Sequence, residues 1–168
     1  MPEFVVRPLS EADLSDVIDV HEEVASERRW IATEPPIDRA KVERRFRESF
    51  IEGTGQMLVV EAGGAIVGSL GMTGDGLLDL GMTVTPEWRG RGVGSALMEA
   101  AIDGARRSGA YKITLQAWPH NEAGLRLYKK FGFVQEGYLR RHWRRRNGEL
   151  WDAVVMGLLL DEAEDAPV

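Results

Sequence analysis

Residues 86–95 read PEWRGRGVGS, and ALMEA follows at 96–100. Gly90, Gly92 and Gly94 alternate with other residues, Arg89 and Arg91 flank the first of them, and a helical pattern begins at once. The start of a helix leaves backbone N–H groups unpaired and carries partial positive charge. It is therefore a ready anion site. Glycines let the backbone turn freely and approach a ligand with no Cβ in the way. Arginines add charge-assisted donors suited to phosphate oxygens, and Ser95 adds a hydroxyl in the first turn. The stretch reads as a cradle for a diphosphate; its plainer alternative is a tight turn. No lysine follows the glycines, so the P-loop pattern fails. The dinucleotide fingerprint fails too, because the sixth position is Ser95 counted from Gly90 and Leu97 counted from Gly92.

Outward from the loop the pattern is alternately strand and helix. FVVRP (4–8) reads as a short strand. Ser10 then caps a helix with Asp13 three residues on, running to about Glu27. WIATEPPI (30–37) is a proline-broken connection to a helix over about 38–51, with Val42, Phe46, Phe50 and Ile51 inward. QMLVVEA (56–62), AIVGSLGMT (65–73) and LLDLGMTVT (77–85) are separated by Gly63-Gly64 and Gly74-Asp75-Gly76, so antiparallel hairpins are expected. The helix after the loop, about 93–108, presents Val93, Ala96, Leu97, Ala100, Ala101 and Gly104 as one face. KITLQAW (112–118) is a strand. Asn121 to Lys130 is a short helix with Gly124, Leu127, Tyr128 and Phe131 on one face. Strands at about 133–144 and 149–160 turn at Asn147-Gly148. The order β-α-α-β-β-β-α-β-α-β-β predicts an α/β fold with a mixed, mostly antiparallel central sheet flanked by helices.

Composition narrows the function. The 168 residues predict a single domain, 1–168, with a core over about 4–160 and an acidic tail at 161–168. There is no cysteine, which excludes disulfides, thiolate metal sites and a cysteine nucleophile. Three scattered histidines give no metal-ligand spacing, so no metal is expected. A net charge of −6 argues against a general nucleic-acid binder. No apolar run approaches the roughly 20 residues of a membrane span, and MPEFVVRPLS has none of the parts of a signal peptide. The expected location is cytoplasmic. RRHWRRR (140–146) is locally basic and reads first as a solvated hairpin.

Downstream, residues 121–133 read NEAGLRLYKKFGF. Arg89, Gly92 and Gly94 spell R-x-x-G-x-G, and Asn121, Leu127, Tyr128, Gly132 and Phe133 match N-x-x-A-x-x-L-Y-x-x-x-G-F, with Gly124 in place of the alanine. Together these resemble the two signatures of the GCN5-related N-acetyltransferase family, in the right order and about 30 residues apart. The resemblance covers about 4–160 and is thinnest at 30–50.

The resemblance implies acetyl-CoA as co-substrate. Met82, Thr83 and Val84 would bond its pantetheine arm through backbone groups. Arg89, Gly90, Arg91, Gly92, Val93, Gly94 and Ser95 would hold the diphosphate. Asn121 would bond the pantetheine or nearby backbone, and Tyr128 would be the general acid for the departing thiolate. A tyrosine hydroxyl is protonated at neutral pH and suits that work; its alternative is core packing.

Asp79, polar in an apolar strand, stands as base, water-holder or amine anchor, or as a plain face position. Glu34, in the connection bordering the expected acceptor cleft, is the second base candidate. His120 reads as a turn residue, and His21 and His142 as surface. Trp30, Trp118, Trp143 and Trp151 line a cleft or simply pack. R-N-G-E-x-x-D-A-x-x-M (Arg146 to Met156) looks like the terminal hairpin of family members acting on amino acids or small amines, and recurs in ribosomal-protein and antibiotic-acetylating relatives. The expected function is transfer of acetyl from acetyl-CoA to a small-molecule or amino-acid amine by direct attack. The alternatives are a protein N-terminus or lysine as acceptor, or a non-catalytic acyl-CoA sensor. A homodimer is expected, with no nucleic-acid or membrane partner.

Overall fold

The computed structural model describes residues 3–160. The acidic stretch 161–168 lies outside the described residues. Strand β1 is Val5–Pro8. Ser10 and Asp13 then form a capping box on a short 3₁₀ turn that leads into helix α1, Leu14–Ser26. Helix α2 is Arg39–Phe46, capped by the Asp38 carboxylate, which accepts from Lys41 N. The predicted helix over 38–51 is therefore split. It continues past Phe46 as one wider turn, Arg47–Ile51, which Glu52 N closes on Arg47 O five residues back. That turn brings Phe50 and Ile51 only partly into the core.

Strands β2 (Gln56–Ala62), β3 (Ala65–Asp75) and β4 (Leu77–Val84) form the two expected hairpins. Helix α3 is Val93–Arg107, β5 is Lys112–Ala117 and α4 is Glu122–Lys130. Strands β6 (Val134–Arg144) and β7 (Leu150–Leu159) close the chain. One seven-strand sheet results, in the order β1-β2-β3-β4-β5-β7-β6. Only the β4–β5 contact is parallel.

Alternation along the strands sends side chains to two faces. On one, α3 and α4 cover a core that includes Leu70, Leu80, Leu97, Met98, Ile113 and Met156. On the other, α1 and α2 pack Val17, Ile18, Val42 and Phe46 on Met57 and Val59. The buried face of α3 is Val93, Leu97, Met98, Ala101, Ile102 and Ala105. It is rotated from the predicted face because the larger Met98 and Ile102 take the centre, leaving Ala96, Ala100 and Gly104 at the rim. Among the described residues no helix is long and apolar enough to cross a membrane.

Candidate active site

The sheet opens in its middle. Strands β4 and β5 are paired only through Leu77–Lys112, Leu78–Ile113 and Asp79–Thr114. Beyond those pairs β4 stays bound to β3 as far as Val84, while β5 stays bound to β7 as far as Ala117. The strands thus part just after Asp79, and Leu80–Val84 presents one backbone edge with no strand beside it. Unpaired backbone groups of a strand edge bind an extended ligand well. On the face shared with α1 this edge carries Asp79, Gly81 and Thr83. A Cβ built on Gly81 meets nothing within 4 Å, so the floor there is open. Thr83 is held by its hydroxyl, 3.2 Å from that of Ser69 on β3.

At the C-terminal end of β4, a 3₁₀ turn (Pro86–Trp88) delivers the chain to the glycine loop. Gly90 and Gly92 have φ of 70° and 86°, and Gly92 is the residue that caps α3. A Cβ at either would meet nothing in the protein, so both glycines border free space at a helix N-terminus. Backbone form and room therefore fit a diphosphate. Arg91 lies over the Trp88 ring at 4.8 Å and remains exposed beside this space. Arg89 is placed differently from the sequence expectation. Its Nη1 and Nη2 donate to both Glu27 carboxylate oxygens at 2.8 and 2.6 Å, and its Nε donates to Val84 O at 3.0 Å. The Arg89 pair holds the Glu27 carboxyl below the usual carboxylate range. Arg89 thus clasps the end of α1 to the end of β4.

Helix α4 crosses beside α3, where a Cβ on Gly94 would come 3.0 Å from Leu127 Cδ2. Asn121 caps α4, its Oδ1 accepting from Gly124 N at 3.0 Å. The Gly124 position, alanine in the signature, has a local reason: a Cβ there would lie 2.6 Å from Asn121 Nδ2. Tyr128 is buried against Phe133, with ring centroids 5.8 Å apart. Burial pushes its phenol up to about 12. Asp79 keeps contact with solvent, yet partial burial at the parting of the strands pushes its carboxyl up as well.

The segment after α1 folds over the open end of the sheet and is latched to the β6–β7 turn. Arg146 N donates to Glu34 Oε2 at 2.9 Å, and its Nη1 to Pro35 O at 2.8 Å. Glu34 Oε1 is 3.6 Å from Arg145 Nε, so both Glu34 oxygens face the turn's backbone and cations. Arg145 is 4% exposed, which corrects the reading of 140–146 as solvated throughout. Its guanidinium lies over the Trp151 ring at 4.2 Å, and Trp151 meets Trp118 edge-on at 5.0 Å. His120 does more than turn the chain. It stacks on Trp118, meets Trp151 at 5.1 Å, and reaches Arg29 O at 2.8 Å. His21, expected on the surface, packs on Phe46 and reaches the Thr33 hydroxyl at 3.0 Å. Its burial lowers the imidazole to about 4. Sequence reasoning missed Arg145 because a run of arginines carries no mark of which one turns inward. Among the described residues no cluster of three or more His, Cys, Asp or Glu is arranged to hold a metal ion.

Known proteins share this plan. The acetyltransferase (GNAT) family matches residues 19–133. An L-amino acid N-acetyltransferase of Escherichia coli is 28% identical over 163 residues, covering 93% of this chain and 98% of the relative. A ribosomal protein bS18-alanine N-acetyltransferase of the same organism is 31% identical over 77 residues, covering 46% of this chain and 51% of the relative. The crystal structure of a phosphinothricin acetyltransferase from Sinorhizobium meliloti, in complex with acetyl-CoA, superposes with a TM-score of 0.84 at 20% identity, covering 99% of this chain and 93% of that one. A family match over more than half of the chain, on a sheet that parts in its middle beside a glycine-capped helix, places this protein in the acetyltransferase (GNAT) family, whose acyl donor is acetyl-CoA.

Proposed function

We propose that the chain, as a single domain over 1–168, transfers the acetyl group of acetyl-CoA to a primary amine of a small molecule or free amino acid, by direct attack with both substrates bound. The observation that carries this is the parting of β4 and β5 at Asp79, with the glycine loop at the far end of the same edge. Backbone groups of Met82, Thr83 and Val84 bind the pantetheine arm as a missing strand would. N–H groups from Gly90 to Ser95 hold the diphosphate, with Arg91 beside them. The β4 edge also polarises the thioester carbonyl, stabilising charge as it develops on oxygen.

An amine attacks only as the neutral base. Asp79 sits on the acceptor face at the parting, and its raised basicity suits removal of that proton, directly or through a water. We assign the base to Asp79 over Glu34, whose Oε2 accepts from Arg146 N and whose Oε1 only faces Arg145 Nε at 3.6 Å. Tyr128 remains protonated at any working pH and donates to the leaving thiolate. No cysteine exists to form an acyl-enzyme. A small acceptor is favoured over a protein chain end because the segment latched by Arg146 covers the open end of the sheet. Calorimetric titration with acetyl-CoA, followed by thiol release over a panel of amines, tests the reading. Tight binding with turnover supports it, binding with no turnover leaves only a sensor, and no binding overturns it.

A further inference from the structure

The β6–β7 turn carries three successive arginines, and only Arg145 turns inward. Its backbone is pinned, N donating to Glu149 O at 2.8 Å and O accepting from Gly148 N at 2.9 Å. Its side chain is only partly matched. Nη1 donates to Ile31 O and Ala32 O at 3.3 and 3.2 Å. Nε stands 3.6 Å from Glu34, beyond hydrogen-bond reach. Nη2 has no partner, and it is the one buried side-chain nitrogen or oxygen among the described residues in that state. A guanidinium stays charged at any working pH. A buried charged donor without an acceptor is costly and calls for an explanation.

The position of Arg145 supplies one. Trp118, under its guanidinium at 5.4 Å, is the residue directly after β5, where that strand has left β4. On the same face of the sheet Asp79 pairs with Thr114, and Gln116 two residues on accepts from the Trp143 indole at 3.0 Å. Trp143 in turn pairs with Trp151, which carries the guanidinium. A continuous strip thus runs from the proposed base to the unmet donor. We propose that Arg145 is a specificity-determining residue that recognises a carboxylate on the acceptor, so that the substrate is an amino acid rather than a simple amine or a polyamine. Nη2 supplies the charge-assisted hydrogen bond, and the Trp118 and Trp151 rings form the apolar wall beside it. This inference rests on the acetyltransferase reading above.

The test compares L-phenylalanine, L-phenylalaninamide and phenethylamine as acceptors at saturating acetyl-CoA, for the full chain and for Arg145→Met and Arg145→Lys. In the parent, kcat/KM for the carboxylated acceptor should exceed that for the other two by about 100-fold. Arg145→Met should collapse that ratio to within about threefold. Arg145→Lys, which keeps charge but not the planar fork, should lower it by at least about tenfold. If Arg145→Met fails to fold, the lysine variant decides. A parent without preference overturns the inference, as does a variant in which all three acceptors fall together, the mark of a mere clamp on the 28–37 segment. Turnover of any amine without carboxylate dependence sinks this inference alone. No turnover of any amine sinks the enzymatic reading as well.

Discussion

The glycine loop and the cover over the open end of the sheet, proposed to meet donor and acceptor respectively, are built in opposite ways. The loop is made of backbone: two glycines of positive φ and a helix N-terminus, all within residues 90–95. The cover is held by arginine side chains that reach backbone carbonyls more than a hundred residues away, such as Arg145 to Ile31 O and Arg146 to Pro35 O. A site of backbone amides takes any ligand with the right diphosphate, so it suits the shared donor. A site of long side chains is altered by one substitution, so it suits the acceptor. Asp79 is the last residue of β4 paired with β5, on the strand that leads to the loop.

The largest effect should come from that residue. Asp79→Asn keeps size and removes basicity, so kcat should fall by about 100- to 1,000-fold while acetyl-CoA affinity hardly moves. In the parent, kcat/KM should rise with pH through a carboxylate pKa lying above the ordinary range, because burial disfavours the charged form and only that form accepts a proton. A variant retaining full activity at saturating amine would take the base off β4. Next in size is Gly92→Val. A β-branched residue at φ 86° is strained, and its side chain would enter the space the donor needs. Acetyl-CoA affinity by calorimetry should fall about 100-fold. An unchanged Kd would mean that backbone does not build the donor site.

This contrast also sets what could be read from sequence. The element order, both central hairpins and the glycine turn that starts α3 were legible, because each is written in neighbouring residues: Gly63-Gly64, Gly74 and Gly76, and Gly90 to Gly94. The pairing of β4 with β5 over three residues only was not, since parting strands keep ordinary apolar alternation. Nor was Arg145. Five arginines, with Tyr138 and Trp143 among them, give no periodicity over 138–146, and which side chain is buried depends on the carbonyls of 31 and 32. His21 was misread for the same reason, because its cover arrives from Thr33 and Phe46.

Tyr128 tests the donor side with a side chain rather than backbone. Tyr128→Phe removes one hydroxyl from a packed position, so stability should change little and kcat should fall by about 10- to 50-fold. The parent phenol, at about 12, stays protonated through the working range, so any alkaline decline below pH 10 must arise elsewhere and persist in the variant. A variant with parental kcat would leave Tyr128 as packing against Phe133.

The smallest effect concerns the ion pair that clasps the end of α1 to the end of β4, next to the glycine loop. Arg89 was expected on the diphosphate, yet its guanidinium is taken by Glu27 and by Val84 O. Both side chains are about a third exposed, so salt screens the pair and its worth is modest. If the clasp only steadies the loop, Arg89→Ala and Glu27→Gln should each raise the acetyl-CoA Kd by about three- to fivefold. The double variant should then be no worse than either single one, because both remove the same contact. If Arg89 instead leaves Glu27 for the donor, the two variants must diverge. Glu27→Gln would free the guanidinium and tighten binding, while Arg89→Ala would weaken it well beyond fivefold. The double-variant cycle in calorimetry separates these outcomes by sign, and the first is expected, since a guanidinium already bonded to both oxygens of one carboxylate loses as much as it gains by exchanging it for a phosphate.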